Sequence, residues 1–369
     1  MVTDPLSAPA ARGRSFVRPR SRSAALAAAA FALSSCAASP KAAPAPAAPA
    51  AAPAKGFAAA AAARPDVTIV VTDSGLGGLS VAADLAARLP ASGVVRSARI
   101  VFVNALLDDA IGYNDLKDEA DKVRVFDAAL AAMEARYRPD LILVACNTLS
   151  VLYPKTEHVR RGATETVSIV PMGAELIERT LRATPGATTV IFATKGTIDS
   201  GAHRRLLVEA GVPDGKIVGE PCPKLTGAIE RGAHSEETRG KIRGFVEEAA
   251  AKLPGKDAPL VVSLNCTHFG YARPIWEETF AALGYPRVTV LDPNPLMTDL
   301  VLSEAGARRY PGTKVTVEVV SQTPITPEVR DSLGGLLRAT SPATADALAR
   351  WVHEPGLFHV DIDPSKLVR

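Results

Sequence analysis

Beyond about residue 66, short continuous apolar runs alternate with longer segments whose apolar residues recur at helical spacing. The apolar runs predict strands over 67–71, 100–103, 141–145, 167–170, 189–193, 216–218, 260–264, 287–291 and 315–320. Between them the clearest helix candidates are 79–89, 119–136, 203–210, 236–252, 271–282 and 341–352. Regular alternation of this kind predicts an α/β protein with parallel sheets, because parallel neighbours need a crossover that is usually helical.

The pattern fails before residue 66. An Arg-rich start, with Arg12, Arg14, Arg18, Arg20 and Arg22, leads into an apolar run over 24–33 that is too short to span a bilayer as a helix. Leu33-Ser34-Ser35-Cys36 then resembles a bacterial lipobox, so residues 1–36 read as a lipoprotein-type signal peptide with Cys36 as the lipidated residue. The other reading is an Ala-rich leader with an incidental cysteine. Residues 37–65 are almost only Ala and Pro, with too little varied apolar surface to fold alone, and read as a disordered linker. The folded body is expected to start near Asp66.

Composition adds little. The chain has 369 residues, enough for a leader and about two domains, with 47% hydrophobic and 22% charged residues. Its net charge of +3 is partly the leader's arginines, so the body is close to neutral and gives no basis for a nucleic-acid partner.

A duplication inside the body carries more information. Leu141-Ile-Leu-Val-Ala-Cys-Asn-Thr and Leu260-Val-Val-Ser-Leu-Asn-Cys-Thr are both buried-strand patterns ending in a Cys beside an Asn and a Thr. Each follows a strand that ends in a Thr and a Gly-bearing turn, Thr72-Asp73-Ser74-Gly75 and Thr194-Lys195-Gly196-Thr197. The separations agree, 146 − 72 = 74 against 266 − 194 = 72, and imply two similar α/β units. Ligands of open α/β sheets bind outside the carboxyl ends of the strands, which places Cys146 and Cys266 at the ligand-binding edges of their units; two units facing each other would set one thiol on each side of a shared cleft. Single cysteines at strand ends are ordinarily core residues; a duplicated Cys-with-Thr ending favours function. The glycines at 75, 77 and 78 lack the spacing and the Lys of a P-loop and read as a tight turn into a helix. His158, His203, His234, His353 and His359 show no metal-ligand spacing with the cysteines, so no metal is expected.

Asp73-Ser74-Gly75-Leu76-Gly77-Gly78-Leu79-Ser80-Val81, Ala145-Cys146-Asn147-Thr148 and Cys266-Thr267-His268 resemble the signature segments of the glutamate racemase family, within the wider aspartate/glutamate/hydantoin racemases. Ala193-Thr194-Lys195-Gly196-Thr197 and Cys222-Pro223 are weaker matches. The resemblance implies two pseudo-symmetric open parallel-sheet α/β domains, residues 66–168 with 288–369 and residues 169–287, with the active site in the cleft between them. It implies cofactor-independent racemisation of glutamate, or a related amino acid such as aspartate, by two-base proton transfer at Cα. Cys146 and Cys266 would be the two bases, with Asp73 and His268 as polar partners. Ser74, Tyr113, Asn114, Asn147, Thr148, Thr197 and Thr267 would hold the substrate. Cys222 is expected to be structural. The partners implied are a small amino-acid substrate and, through Cys36, a membrane; oligomeric state is open, a homodimer being one assembly.

The match is incomplete. The family's Pro-Tyr-Gly segment is here Gly112-Tyr113-Asn114, and Asn265 stands where a Gly usually precedes the second Cys. A Glu that assists the second-domain His falls at Pro171, which leaves His268 without that partner unless Glu175 substitutes. Competing readings are an envelope amino-acid-binding protein that has lost turnover, or another acid/base enzyme of the superfamily such as a decarboxylase or maleate isomerase. The family's usual role, supply of D-glutamate for peptidoglycan, is cytoplasmic. Placement on the periplasmic side of the envelope therefore implies scavenging or remodelling of D-amino acids; a leader that is no working signal implies a cytoplasmic enzyme.

Overall fold

The computed structural model describes residues 57–108, 111–162, 164–304 and 306–368; the signal segment, Cys36 and most of the Ala/Pro-rich stretch lie outside the described residues. The strands are β1 (Asp66–Asp73), β2 (Ser97–Asn104), β3 (Leu141–Val144), β4 (Thr166–Ser168), β5 (Thr188–Ala193), β6 (Ile217–Pro221), β7 (Leu260–Asn265), β8 (Val288–Leu291), β9 (Lys314–Ser321) and β10 (Val352–His353). They form two parallel sheets, one in the order β10-β9-β2-β1-β3-β4 and the other β6-β5-β7-β8. With β9 and β10 set aside, both lobes have the same order, second-first-third-fourth. The protein therefore has two pseudo-symmetric parallel-sheet α/β lobes, with β3 and β7 as equivalents.

The central strands are apolar throughout because both faces of each sheet are covered. Every residue of Leu141–Val144, Thr188–Ala193 and Leu260–Asn265 is buried. In the first lobe one face packs against the helices Leu79–Ser92, Pro327–Thr340 and Pro342–Ala349, and the other against Glu119–Tyr137. In the second, an aromatic cluster anchors one face, with the Phe192 and Trp276 ring centroids 4.5 Å apart. Full burial of one such side chain contributes about 2–3 kcal/mol.

Three boundaries differ from expectation. The described residues are already folded from Phe57, ahead of the expected start near Asp66, since Phe57–Ala63 is a helix with Phe57 and Ala61 buried in the first lobe's core. Alanine has the highest helix propensity, and one aromatic anchor suffices to dock the run. Arg309 secures it by donating to the carbonyls of Ala61 and Ala62, as does the Arg64–Asp140 ion pair. Next, the strand expected over 167–170 ends at Ser168, and the apolar run continues into the helix Ile169–Ala183. Pro171 lies in that helix's first turn, where its missing N–H costs nothing. Last, residues 288–291 belong to the second lobe, not the first: β8 pairs with β7 in the register Leu260↔Val288. The short β10 falls where a helix was expected to end.

Candidate active site

In each sheet the first strand lies between the second and the third, so the crossovers leave in opposite directions from the carboxyl ends of β1 and β3, and of β5 and β7. Such switch points open a crevice for a ligand. Asp73 ends β1 and Cys146 follows β3; Thr194 follows β5 and Cys266 follows β7. The two crevices meet along the seam between the lobes.

Cys146 and Cys266 are free thiols, each only 6% exposed. Ser74 Oγ lies 3.1 Å from Cys146 Sγ. Burial, and after it the Asp73 charge, raises the Cys146 thiol far above its ordinary value, against the Ser74 hydroxyl and the backbone amides of Leu149 and Ser74. Cys146 therefore rests protonated. Burial also raises the Asp73 carboxyl, opposed by the His268 charge, Thr267 and Cys146. Thr267 Oγ1 donates to Asp73 Oδ2 at 2.7 Å, so the residue beside the second thiol is tied to the acid beside the first.

Cys266 has a different neighbour. His268 Nδ1 lies 3.7 Å from its Sγ, and His268 Nε2 lies 2.8 Å from Glu230 Oε1. Burial by itself would lower the His268 pKa, but the bonds to Cys266 and Glu230 and the Glu230 charge overcome it and hold the ring well above its ordinary value. Glu230 moves the other way: burial pushes it up, while His268 and the Leu76 amide pull it below the usual carboxylate range. The pair is thus an imidazolium and a carboxylate at neutral pH, with both ring N–H groups donating. Leu76 N donates to Glu230 Oε1 at 3.2 Å, a further tie across the lobes.

The close approach depends on Gly77. A Cβ there would lie 2.3 Å from Thr267 Oγ1 and 2.5 Å from His268 Nδ1. Elsewhere along the seam Thr148 Oγ1 lies 2.9 Å from Thr194 Oγ1 and 3.3 Å from Thr197 Oγ1, a cluster of hydroxyls from both lobes. Asn147 is buried with both amide atoms unpaired, available to a ligand's donors and acceptors. Tyr113 is buried in the same cluster as Cys146 and donates to Ala105 O at 3.1 Å, and Asn114 Oδ1 accepts from Gly196 N at 3.2 Å.

The sequence model of the Asp/Glu/Hydantoin racemase family matches residues 69–301. The chain belongs to that family. Among its relatives, the glutamate racemase of Chlorobaculum tepidum is 27% identical over 241 residues, covering 65% of this chain and 79% of that protein. The glutamate racemase of Cereibacter sphaeroides is 29% identical over 254 residues, covering 66% and 86%. A crystal structure of Francisella tularensis glutamate racemase in complex with D-glutamate has the same fold, with a TM-score of 0.56 and 20% identity over 75% of this chain and 95% of that one.

In this racemase-family chain, Asp73, Ser74, Cys146, Thr267, His268 and Cys266 converge on the seam. Thr148, Thr197, Asn147, Tyr113 and Asn114 border it. Neither Pro171 nor Glu175 serves His268; both are exposed. The partner is Glu230, on the helix Leu225–Gly232, eight residues beyond Cys222. Its only sequence signal was its place after the Cys222-Pro223 match. Thr194 was also missed as a site residue. Cys222 is buried, with its Sγ 3.7 Å from Glu220 O. Burial holds His203 near pKa 4, a neutral ring bonded to Asn265 Nδ2 at 2.9 Å. Among the described residues no three His, Cys, Asp or Glu side chains are placed to ligate one metal ion, and no helix is long and apolar enough to cross a membrane.

Proposed function

We propose that this protein racemises an acidic amino acid, glutamate or aspartate, by two-base proton transfer between Cys146 and Cys266, without a cofactor. The observation that carries the reading is the placement of two unbonded thiols at equivalent strand ends of two pseudo-symmetric lobes, each with its own polar partner. One base alone tends to return a proton to the face it left; inversion needs a donor on the other face. In one direction Cys266, as thiolate, takes the Cα proton while the Cys146 thiol delivers its proton to the opposite face. The reverse reaction exchanges the roles. In this mechanism His268, as a cation, stabilises Cys266 while it acts as the base, and Ser74 does the same for Cys146.

Asn147 and the cluster of Thr148, Thr194 and Thr197 provide the donors suited to an α-carboxylate. The relatives named glutamate racemase, and the D-glutamate in the Francisella enzyme, support the substrate class. A binding protein without turnover was favoured only by a His268 lacking a carboxylate, and Glu230 supplies one.

Leader-free protein in D₂O with each enantiomer of glutamate and aspartate is expected to deuterate Cα of at least one of these amino acids and invert it, both followed by NMR and chiral chromatography. Binding without any exchange would sink the enzyme reading. The leader supports placement at the envelope as a lipoprotein that meets D-amino acids outside the membrane. Label from a fatty-acid probe should then be lost in Cys36→Ser, and a native host that never labels the protein would overturn the lipoprotein reading.

A further inference from the structure

The chain's last residues run back across the first lobe to the turn that carries Tyr113 and Asn114. Lys117 N donates to Lys366 O at 2.9 Å and Val368 N to Asp115 O at 2.7 Å, with Leu116 and Leu367 as an antiparallel bridge. Lys366 Nζ lies 2.8 Å from Asp121 Oδ2 and 3.3 Å from Asp118 Oδ2. Phe358 is buried beside Tyr113, Leu116 and Cys146 in one cluster, and Leu367 packs against it. The strap lies beyond residues 69–301, the stretch described by the family model.

On its other side the same turn reaches the second lobe through Asn114 and Gly196. A Cβ on Gly196 would lie 2.6 Å from Asn114 Oδ1, so a larger residue there would displace the Asn114 amide. Gly196 shares the first turn of the helix Lys195–Ser200 with Thr197 of the hydroxyl cluster. The turn is thus held between a strap of its own lobe and the substrate-facing helix of the other. Asp115 Oδ2 accepts from Gly112 N at 2.8 Å and closes it locally, but that bond does not fix where the turn points.

We propose that the C-terminal strap is a positioning element for substrate binding: by pinning Asp115 to Lys117 it sets Tyr113 and Asn114 against Cys146 and Gly196. Lys366, Leu367 and Val368 hold the turn through Lys117, Leu116, Asp115, Asp118 and Asp121 and not through either thiol, so their effect falls on substrate affinity more than on proton transfer. The proposal rests on the racemase reading for its kinetic consequence but not for its structural one.

Truncation after Ile362, in the otherwise full-length protein, is expected to raise KM at least fivefold with kcat changed less than twofold. Lys366→Met, which keeps the backbone strap and leaves Arg124 to pair with Asp121, is expected to raise KM two- to threefold, and Lys366→Arg to restore it. Hydrogen exchange of the Gly196 amide, in the other lobe, should accelerate at least tenfold on truncation. A tail that only stabilises its own lobe would lower the Tm while KM and Gly196 exchange stayed at parent values, and that result overturns the proposal. If the parent enzyme exchanges no amino acid, the racemase reading fails instead, and Gly196 exchange still decides the strap. Should the truncated chain not fold, the two Lys366 variants decide.

Discussion

Cys146 and Cys266 leave equivalent strands, β3 and β7, yet meet different neighbours. Around Cys146 are a buried carboxylate, Asp73, and a hydroxyl, Ser74; around Cys266 is the imidazolium of His268, backed by Glu230. The segment after the second strand of each lobe reaches toward that lobe's thiol, but after β2 it supplies Tyr113 and after β6 it supplies Glu230. Duplicated backbone geometry sets where the thiols stand, and side chains that differ between the two copies set their charge environment. The proposed two-base reaction needs one thiol and one thiolate at the start of each turnover, and two identical surroundings would provide no preference for either arrangement.

The largest break in this comparison comes from removing a thiol. Cys146→Ser or Cys266→Ser should lower racemisation by about 10³-fold, the scale of a lost acid/base group. Each variant keeps one base, so the two should catalyse Cα deuteration of opposite enantiomers in D₂O. If both variants keep full racemisation, the two-base assignment is wrong.

Next in size is the distance between the halves. Gly77→Ala puts a methyl where Thr267 Oγ1 and His268 Nδ1 now stand, 2.3 and 2.5 Å away, so the lobes must separate locally. Misplacement by about 1 Å costs on the order of 10²-fold in rate. The expected signature is a large loss of kcat with little change in Tm, since Gly77 faces the seam and not a core. A matching fall in Tm would mean instead that the fold was damaged.

The contrast between the lobes also explains what the sequence could disclose. Continuous apolar runs such as Leu141–Val144 and Thr188–Ala193 were legible because strands covered on both faces have no polar side. The thiols were legible because their settings occur twice. Glu230 was not, since its distance from His268 is set by how the helix Leu225–Gly232 packs, and a lone Glu among surface charges carries no mark of that. The cross-lobe contacts of Asp73 with Thr267 and Asn114 with Gly196 join residues far apart in sequence, with no local pattern to announce them. Compositional reading of the Ala/Pro-rich stretch could not foresee the docking of Phe57, which depends on a tertiary pocket. At 167–170 the apolar run crosses from strand to helix, and periodicity over so few residues cannot separate the two.

Glu230→Gln tests whether His268 owes its charge to this partner. A hydrogen bond to a charged group is worth about 1.5–3 kcal/mol, so activity at neutral pH should fall by about tenfold or more. The pH dependence is more diagnostic. The raised His268 value means that its contribution is present below the ordinary histidine range and lost as pH rises through the raised value. The lowered Glu230 value means that its contribution is present above the ordinary carboxylate range and lost as pH falls through the lowered value. Both are intact around neutrality in the parent. In Glu230→Gln the ring should titrate closer to its ordinary value, followed by NMR of its Cε1–H, and activity should fall as pH rises through that point. An unmoved titration would detach Glu230 from the charge on His268.

The smallest effect is on the other side. Ser74→Ala removes the hydroxyl 3.1 Å from Cys146 Sγ, a bond worth about 1 kcal/mol, or about fivefold in rate. Because two enantiomers have equal free energy, kcat/KM must fall by the same factor in both directions, and rates alone cannot show which thiol is affected. Isotope effects can. Without Ser74 the proton transfer at Cys146 becomes the higher barrier. The enantiomer whose Cα–H faces Cys146 should then show a larger α-deuterium effect than in the parent, and the opposite enantiomer a smaller one. Equal changes for both enantiomers would place the influence of Ser74 on substrate binding and remove it from the charge balance of the first thiol.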